Sequence, residues 1–301
     1  MSDLTSGRIP ARPPRVSMLF FGFLPHILLF SALIGAWEAA GAFGLLNEFL
    51  VPRPSTVLKS IITLYFVNGS IYRHFFVTLY EAVAGFLIGA MVGISLAVGS
   101  ALSENFRRYV APYAIVLNVT PGLALTPIVI AWFGFGISSK IALAAIISFF
   151  PVFVNTLTGL MRSDPDRNEM FRSLGATSYQ TFIKLRIPDA LPVVFAGLKI
   201  GMTTALVGAI VAEFAQATEG VGVLMQRYSF ALNMGAAIAT LLSMSLMGLL
   251  LFFLMEFLDD RFVFWRSDSR MAARARRKAK AWARKQAVTS NNNTVQIRRK
   301  Q

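Results

Sequence analysis

The chain has 301 residues, of which 55% are hydrophobic and only 15% charged, with a formal net charge of +14 and no cysteine. A soluble domain carries about 25% charged residues, so this composition points to a membrane protein. The lack of cysteine excludes a disulfide scaffold, thiolate metal sites and a cysteine nucleophile, and His26 and His74 are too few and too far apart to suggest a metal centre.

Residues 1–17 read as a polar, basic cytoplasmic lead. Six apolar segments follow, at about 18–40, 76–100, 109–133, 139–160, 192–216 and 235–258. At 1.5 Å per residue each can cross a hydrocarbon core about 30 Å thick. The first has no small-residue cleavage pattern after it and is kept as a membrane helix. The expected fold is therefore an all-α integral membrane protein with six transmembrane helices over 18–260. With the N-terminus inside, 24 of the 29 Lys and Arg residues fall on one side. The other side receives only Arg53, Lys59, Arg73, Lys140 and Arg227. Positive charge is retained in the cytoplasm, so both termini are placed there.

Between the first two spans, Pro52 and Pro54 break the chain, and Ser55 or Thr56 can cap a short helix running to about Val67. Gly85, Gly89 and Gly93 in the second span, and Gly197 with Gly201 in the fifth, allow close backbone packing. The third span is interrupted by Pro121-Gly122 and Pro127. Such breaks are tolerated where a helix faces protein or a water-filled path. Pro121 and Pro127 are thus candidates for lining or gating a pathway, with a simple packing kink as the other reading. A short turn over 134–139 would join the third and fourth spans as a hairpin.

The polar stretch over 161–190 carries its own helix signals. Ser163 can cap a helix with Asp166 as the capping-box acid, or Asp164 can cap it with Pro165 next. Met170, Phe171 and Leu174 form an apolar ridge beside Arg167, Glu169 and Arg172, and Gly175 permits a turn with positive φ. A second helix, about 177–186, is expected to stop before Ile187-Pro188. The product is a helix–turn–helix knuckle with the composition of a protein-contact patch.

The order Glu169-Met170-Phe171, three residues, Gly175, nine residues, Leu185-Arg186-Ile187-Pro188 resembles the signature loop of the integral membrane permease subunits of ATP-binding-cassette importers. That signature reads Glu-Ala-Ala, three residues, Gly, nine residues, Ile-x-Leu-Pro; here Met170 and Phe171 replace the two alanines. Pro52-Arg53-Pro54-Ser55, Thr78-Leu79, Leu123-Ala124-Leu125-Thr126-Pro127, Trp132-Phe133-Gly134-Phe135-Gly136 and Ala212-Glu213 with Gly220-Val221-Gly222 are similar to the nitrate, sulfonate, taurine and thiamine-precursor branch. The resemblance covers about residues 35–260. It implies a type I importer permease fold and a multi-pass protein of the bacterial inner membrane. It also implies a second, identical permease subunit, two cytoplasmic ATPase subunits and an extracytoplasmic solute-binding protein. Asp166, Glu169, Met170, Phe171, Leu174, Gly175 and Pro188 would then couple to the ATPase. ATP and Mg would be bound there, because this chain has no Walker-type loop and is not itself expected to be an enzyme. The solute would be a small organic anion such as a sulfonate, or a small heterocycle such as a vitamin precursor. The alternative is an ion- or proton-coupled secondary carrier.

Four acids fall in or beside spans: Glu38, Glu81, Glu213 and Glu256. Buried carboxylates are paired or face water. Glu213 is the best pathway or gating candidate, with a purely helix-holding contact as the other reading. The basic tail, 261–301, would attract anionic lipid headgroups, and no nucleic-acid partner is expected.

Overall fold

The computed structural model describes residues 15–162, 164–215 and 218–265, with the side chains of 15–24 and of Leu123 outside that description. Most of the expected N-terminal lead, the Ser163 cap and the tail beyond Trp265 lie outside the described residues. The rest is helical: α1 Arg15–Ala42, α2 Pro54–Ile62, α3 Ser70–Leu102, α4 Glu104–Val119, α5 Gly122–Phe133, α6 Ile137–Met161, α7 Pro165–Ser173, α8 Ser178–Thr181, α9 Ile187–Phe214, α10 Val221–Phe230 and α11 Met234–Phe262. The chain divides into two compact units, residues 1–72 with 224–242, and residues 73–223 with 243–301.

In the first unit α2 is not capped by its own Ser55 or Thr56. Arg53 is the N-cap residue without a side-chain cap, and Pro54 occupies the first turn. The carboxylate of Glu38 in α1 supplies the acceptors instead, taking the Ser55 N–H (3.0 Å) and hydroxyl (2.8 Å). A wide π-turn, Thr63–Val67, carries the helix to the expected end.

The second unit is built on backbone contact. A β-carbon on Gly85 would lie 2.4 Å from Ala144 Cβ, and one on Gly89 would lie 2.5 Å from the Ala145 carbonyl oxygen. On the other flank of α6, β-carbons on Gly201 and Gly208 would lie 2.6 Å from Val152 Cγ2 and 2.9 Å from Ala144 Cα. The two glycine stripes thus seat α3 and α9 directly on α6. Within a bilayer such close approach, rather than exclusion of water, drives helix association. Phe149 stacks on Phe153 (5.7 Å) within a cluster that includes Ala97 and Ala114.

Four helices among the described residues are long and apolar enough to cross a membrane: Ser70–Leu102, Ile137–Met161, Ser178–Phe214 and Met234–Phe262. α4 and α5 make a fifth span if the pair, bent by 108°, is taken as one. The described residues therefore give four or five spans where the sequence suggests six; α1 coincides with the expected first span without joining that count. The break in the third span falls at Thr120 and Pro121, as expected, whereas Pro127 lies within α5 and does not interrupt it. The Thr120 hydroxyl donates to the Val116 carbonyl (2.8 Å), and Pro121 is the N-cap residue of α5.

Replacement of Gly89 by Val should destabilise the bundle by roughly 1–3 kcal/mol through overpacking. Gly35→Ala, where a β-carbon meets nothing within 4 Å, should be neutral. Thermal unfolding of the purified protein in detergent reads both.

Candidate functional site

Two sets of polar residues occupy opposite ends of the second unit. At one end lies the knuckle. Asp164 is the N-cap residue of α7, its Oδ1 accepting the Asp166 N–H (3.1 Å). α7 ends in a Schellman turn. The Gly175 N–H donates to the Arg172 carbonyl (2.9 Å), the Ala176 N–H to the Phe171 carbonyl (3.0 Å), and Gly175 has φ +76°. Thr177 and Gln180 form a reciprocal capping box that starts α8. The expected apolar ridge is exposed at Met170 (51%) and Leu174 (78%), while Phe171 is half-buried. Asp166 and Glu169 are exposed beside it.

One expectation at the knuckle fails. The second helix does not stop before Pro188 but runs on as a single 37-residue helix, Ser178–Phe214. A π-turn over Phe182–Arg186 accommodates the proline, with the Ile187 N–H reaching back to the Phe182 carbonyl. This wider turn takes up the local disruption that a missing N–H and the pyrrolidine ring create. Leu160, Phe182 and Ala190 form a buried cluster with Val98 and Ala101, fixing the start of this helix against the ends of α6 and α3. Arg167 closes the corner, donating from Nη1 to Asp189 Oδ2 (2.9 Å) and from Nε to Asp164 Oδ2 (3.3 Å). Hydrogen bonding to Asp164 first, then the charge of Asp189, raises the Arg167 pKa above its ordinary value.

At the other end of the same helix Glu213 is fully buried. It lies at the N-terminus of α10: its Oε2 accepts the Gly222 N–H (2.6 Å), and its Oε1 accepts the Thr78 hydroxyl (2.5 Å). Thr78, on α3, also accepts the Val221 N–H (2.8 Å). A carboxylate at a helix N-terminus meets unpaired N–H groups and the positive end of the helix dipole. The glycines are required by space. A β-carbon on Gly220 (φ +124°) would lie 2.2 Å from Glu213 Cδ, and one on Gly222 would lie 2.7 Å from Glu213 Oε2. Around this latch, Gly220 donates its N–H to His74 Nδ1 (3.0 Å), and Arg73 pairs with Glu219 through Nε (3.1 Å) and Nη2 (2.5 Å).

Glu81 is also buried here, and its carboxyl group hydrogen-bonds that of Glu213. Lys140, counted on the outer side and at the start of the expected fourth span, is 4% exposed and donates to the Phe135 (2.5 Å) and Gly136 (2.9 Å) carbonyls. Both carbonyls belong to the turn that joins α5 to α6. Lys199, counted on the cytoplasmic side, lies within α9 and donates to Glu256 (2.5 Å) and to buried Asp259 (2.8 Å) of α11. Pro127 lines an apolar cavity with Ile130, Phe135 and Ala215, and Pro121 sits at the α4–α5 bend; neither touches Glu213 in the described contacts. No group of three or more metal-ligating side chains occurs among the described residues.

Residues 85–264 match the family described as binding-protein-dependent transport system inner membrane component. The chain belongs to that family. It is a multi-pass permease subunit of an ATP-binding-cassette importer of the inner membrane, and ATP hydrolysis belongs to a separate subunit. It is 32% identical over 244 residues to the formylaminopyrimidine transport permease protein of Halalkalibacterium halodurans, covering 81% of this chain and 96% of that one. It is 26% identical over 242 residues to the taurine transport system permease protein of Escherichia coli K12, covering 79% and 88%. Among solved structures, an amino acid ABC transporter aligns with TM-score 0.50 and 19% identity over 72% of this chain and 98% of that one. The inward-facing MetNI methionine ABC transporter aligns with TM-score 0.50 and 18% identity over 62% and 92%. The fold of this permease is thus the all-α importer permease fold.

Thr78→Val removes the hydroxyl that joins Glu213 to Val221 at nearly constant volume. It leaves a buried N–H and a carboxylate oxygen short of a partner, and should lower stability by roughly 1–3 kcal/mol. Thr78→Ser should restore most of it, read as the melting temperature of the purified permease.

Proposed function

We propose that this permease forms the pathway of a binding-protein-dependent importer and takes its driving force at the α7–α8 knuckle from a cytoplasmic ATPase. Six crossings complete the topology, with α1 as the first and the bent α4–α5 pair as the third. Both termini and the knuckle face the cytoplasm, where most of the Lys and Arg residues fall. The Glu213 latch then faces outward.

Asp166, Glu169, Met170, Phe171, Leu174 and Gly175 form the surface that two ATPase subunits grip, one on each of two identical permeases. Pro188 sits where the knuckle joins the membrane helix. Pro121 and Pro127 border the pathway at the broken span, and Glu213 gates it by holding the segment before α10. The solute is a small organic anion such as a sulfonate, or a small heterocycle such as a vitamin precursor, delivered by an extracytoplasmic binding protein. The relatives named for taurine and formylaminopyrimidine support that class.

One observation carries this reading. The exposed knuckle leads, through the Schellman turn at Gly175, straight into the helix whose far end bears Glu213. A push on the knuckle is therefore carried toward the latch along one helix.

Gly175→Val tests it. A β-carbon meets nothing within 4 Å there, but the φ of +76° is strained for a β-branched residue, at a cost of about 1–3 kcal/mol. The expected outcome is a folded permease that loses ATPase association or receptor-stimulated hydrolysis. Wild-type coupling in that variant, or gradient-driven uptake by the chain expressed alone, would overturn the reading.

A further inference from the structure

Behind the knuckle lies a cavity of about 530 Å³. It is bounded by Ala101 and Leu102 at the end of α3, by Arg172 on α7, and by Ser178, Phe182 and Arg186 at the start of the long helix. That volume falls within the roughly 300–1,000 Å³ of ordinary small-ligand sites. Apolar and basic residues share its wall. Leu102 ends the Ser70–Leu102 span, so this part of the wall lies where hydrocarbon gives way to headgroups. Arg172 is exposed and Arg186 half-buried. The Arg186 Nε is enclosed, and its two Nη groups are the donors left open. Neither arginine side chain has an ion pair or a hydrogen-bond partner among the described residues. The acids nearby do not supply one. Asp164 and Asp189 are committed to Arg167, and Asp166 is not part of the lining. Glu169 is the one acid among the described lining residues, set against two arginines. The wall therefore stays positive with that acid fully ionised.

We propose that this cavity binds a phosphate-bearing anion, supplied by the headgroup of an anionic phospholipid of the cytoplasmic leaflet. A guanidinium meets phosphate with a planar fork of N–H donors, and such charge-assisted bonds are the strong ones. Basic pockets between membrane helices on the cytoplasmic side take lipid headgroups in this way. Ala101, Leu102 and Phe182 give the glycerol and the first acyl carbons an apolar wall. A metal cation is repelled by the two arginines. A zwitterionic headgroup brings a cation of its own and gains less from them. Free inorganic phosphate shares the chemistry but has nothing to set against the apolar wall. The site rests on the reading that puts the knuckle at the cytoplasmic face. A headgroup there braces α7 against the end of α3, across a gap that the protein's own side chains leave open.

Its test is native mass spectrometry of the intact, detergent-solubilised complex of permease and ATPase subunits. Phosphatidylglycerol and phosphatidylcholine with the same acyl chains are titrated in turn. Phosphatidylglycerol should bind about tenfold more tightly, the scale of one charge-assisted hydrogen bond. Arg186→Gln should remove that preference and leave phosphatidylcholine binding unchanged. Should that variant fail to assemble, Arg172→Gln, at an exposed position, carries the same expectation. Excess inorganic phosphate should not displace the lipid; displacement with the same arginine dependence would uphold the phosphate site and assign it to the free ion. Equal affinity for the two lipids, or a preference unchanged in the assembled variant, would overturn the proposal. The assay uses neither hydrolysis nor solute, so that result beside intact ATP coupling would leave the broader function standing.

Discussion

Glu213 holds two unpaired N–H donors' worth of helix start with a single buried carboxylate, one directly and one through Thr78. Glu213, Thr78 and Val221 are all buried, so each broken bond costs free energy that an exposed site would not lose. That constraint makes the segment before α10 a follower of α9: where the carboxylate goes, Gly222 and Val221 must go or be left unmet. The spacing of the two glycines has the same origin, because any β-carbon there would occupy the space of the carboxylate itself.

Rigidity between the two ends of the unit comes from packing. Glycine stripes on α3 and α9 bring both helices into backbone contact with α6, and protein interiors packed this closely transmit displacement rather than absorb it. At the knuckle, the Leu160–Phe182–Ala190 cluster and the Arg167–Asp189 pair fix the angle at which the long helix begins. The helix from Ser178 to Phe214, about 55 Å long at 1.5 Å per residue, then runs from the knuckle to the latch, with the π-turn over Phe182–Arg186 near its start. On this reading a rocking of the knuckle reaches the far side as a movement of the 218–222 segment, in the manner of a rigid element with two arrangements.

Much of this was legible in the residue order. The apolar segments at about 76–100, 139–160 and 235–258 lie within the helices Ser70–Leu102, Ile137–Met161 and Met234–Phe262. The break at Pro121, the α7 start and the Gly175 turn likewise follow from local signals: missing N–H groups, a capping acid and a glycine after a helix. Local signals were also what misled. Ile187-Pro188 reads as a stop, yet a π-turn absorbs it and the helix continues, because the flanking Phe182, Leu185 and Ala190 side chains are buried and hold it in place. Lys140 and Lys199 enter the sequence only as charges counted to one side or the other, and neither the turn carbonyls that hold Lys140 nor the α11 acids that hold Lys199 can be read from that count. The latch could not be read at all as a contact: Thr78 and Glu213 are 135 residues apart. The sequence offers only their separate surroundings, Thr78-Leu79 and Gly220-x-Gly222, with nothing to pair them.

The central claim is that force travels along one unbent helix, and pulsed electron–electron double resonance tests it most directly. The chain has no native cysteine, so spin labels at Tyr179→Cys and Phe214→Cys mark the two ends alone. With one labelled permease per complex, the account predicts a single narrow distance of about 50 Å that is the same without nucleotide and with ATP trapped. A distance that shortens or splits between the two states would place a hinge inside the helix, at Pro188 or Pro192, and would contradict the account.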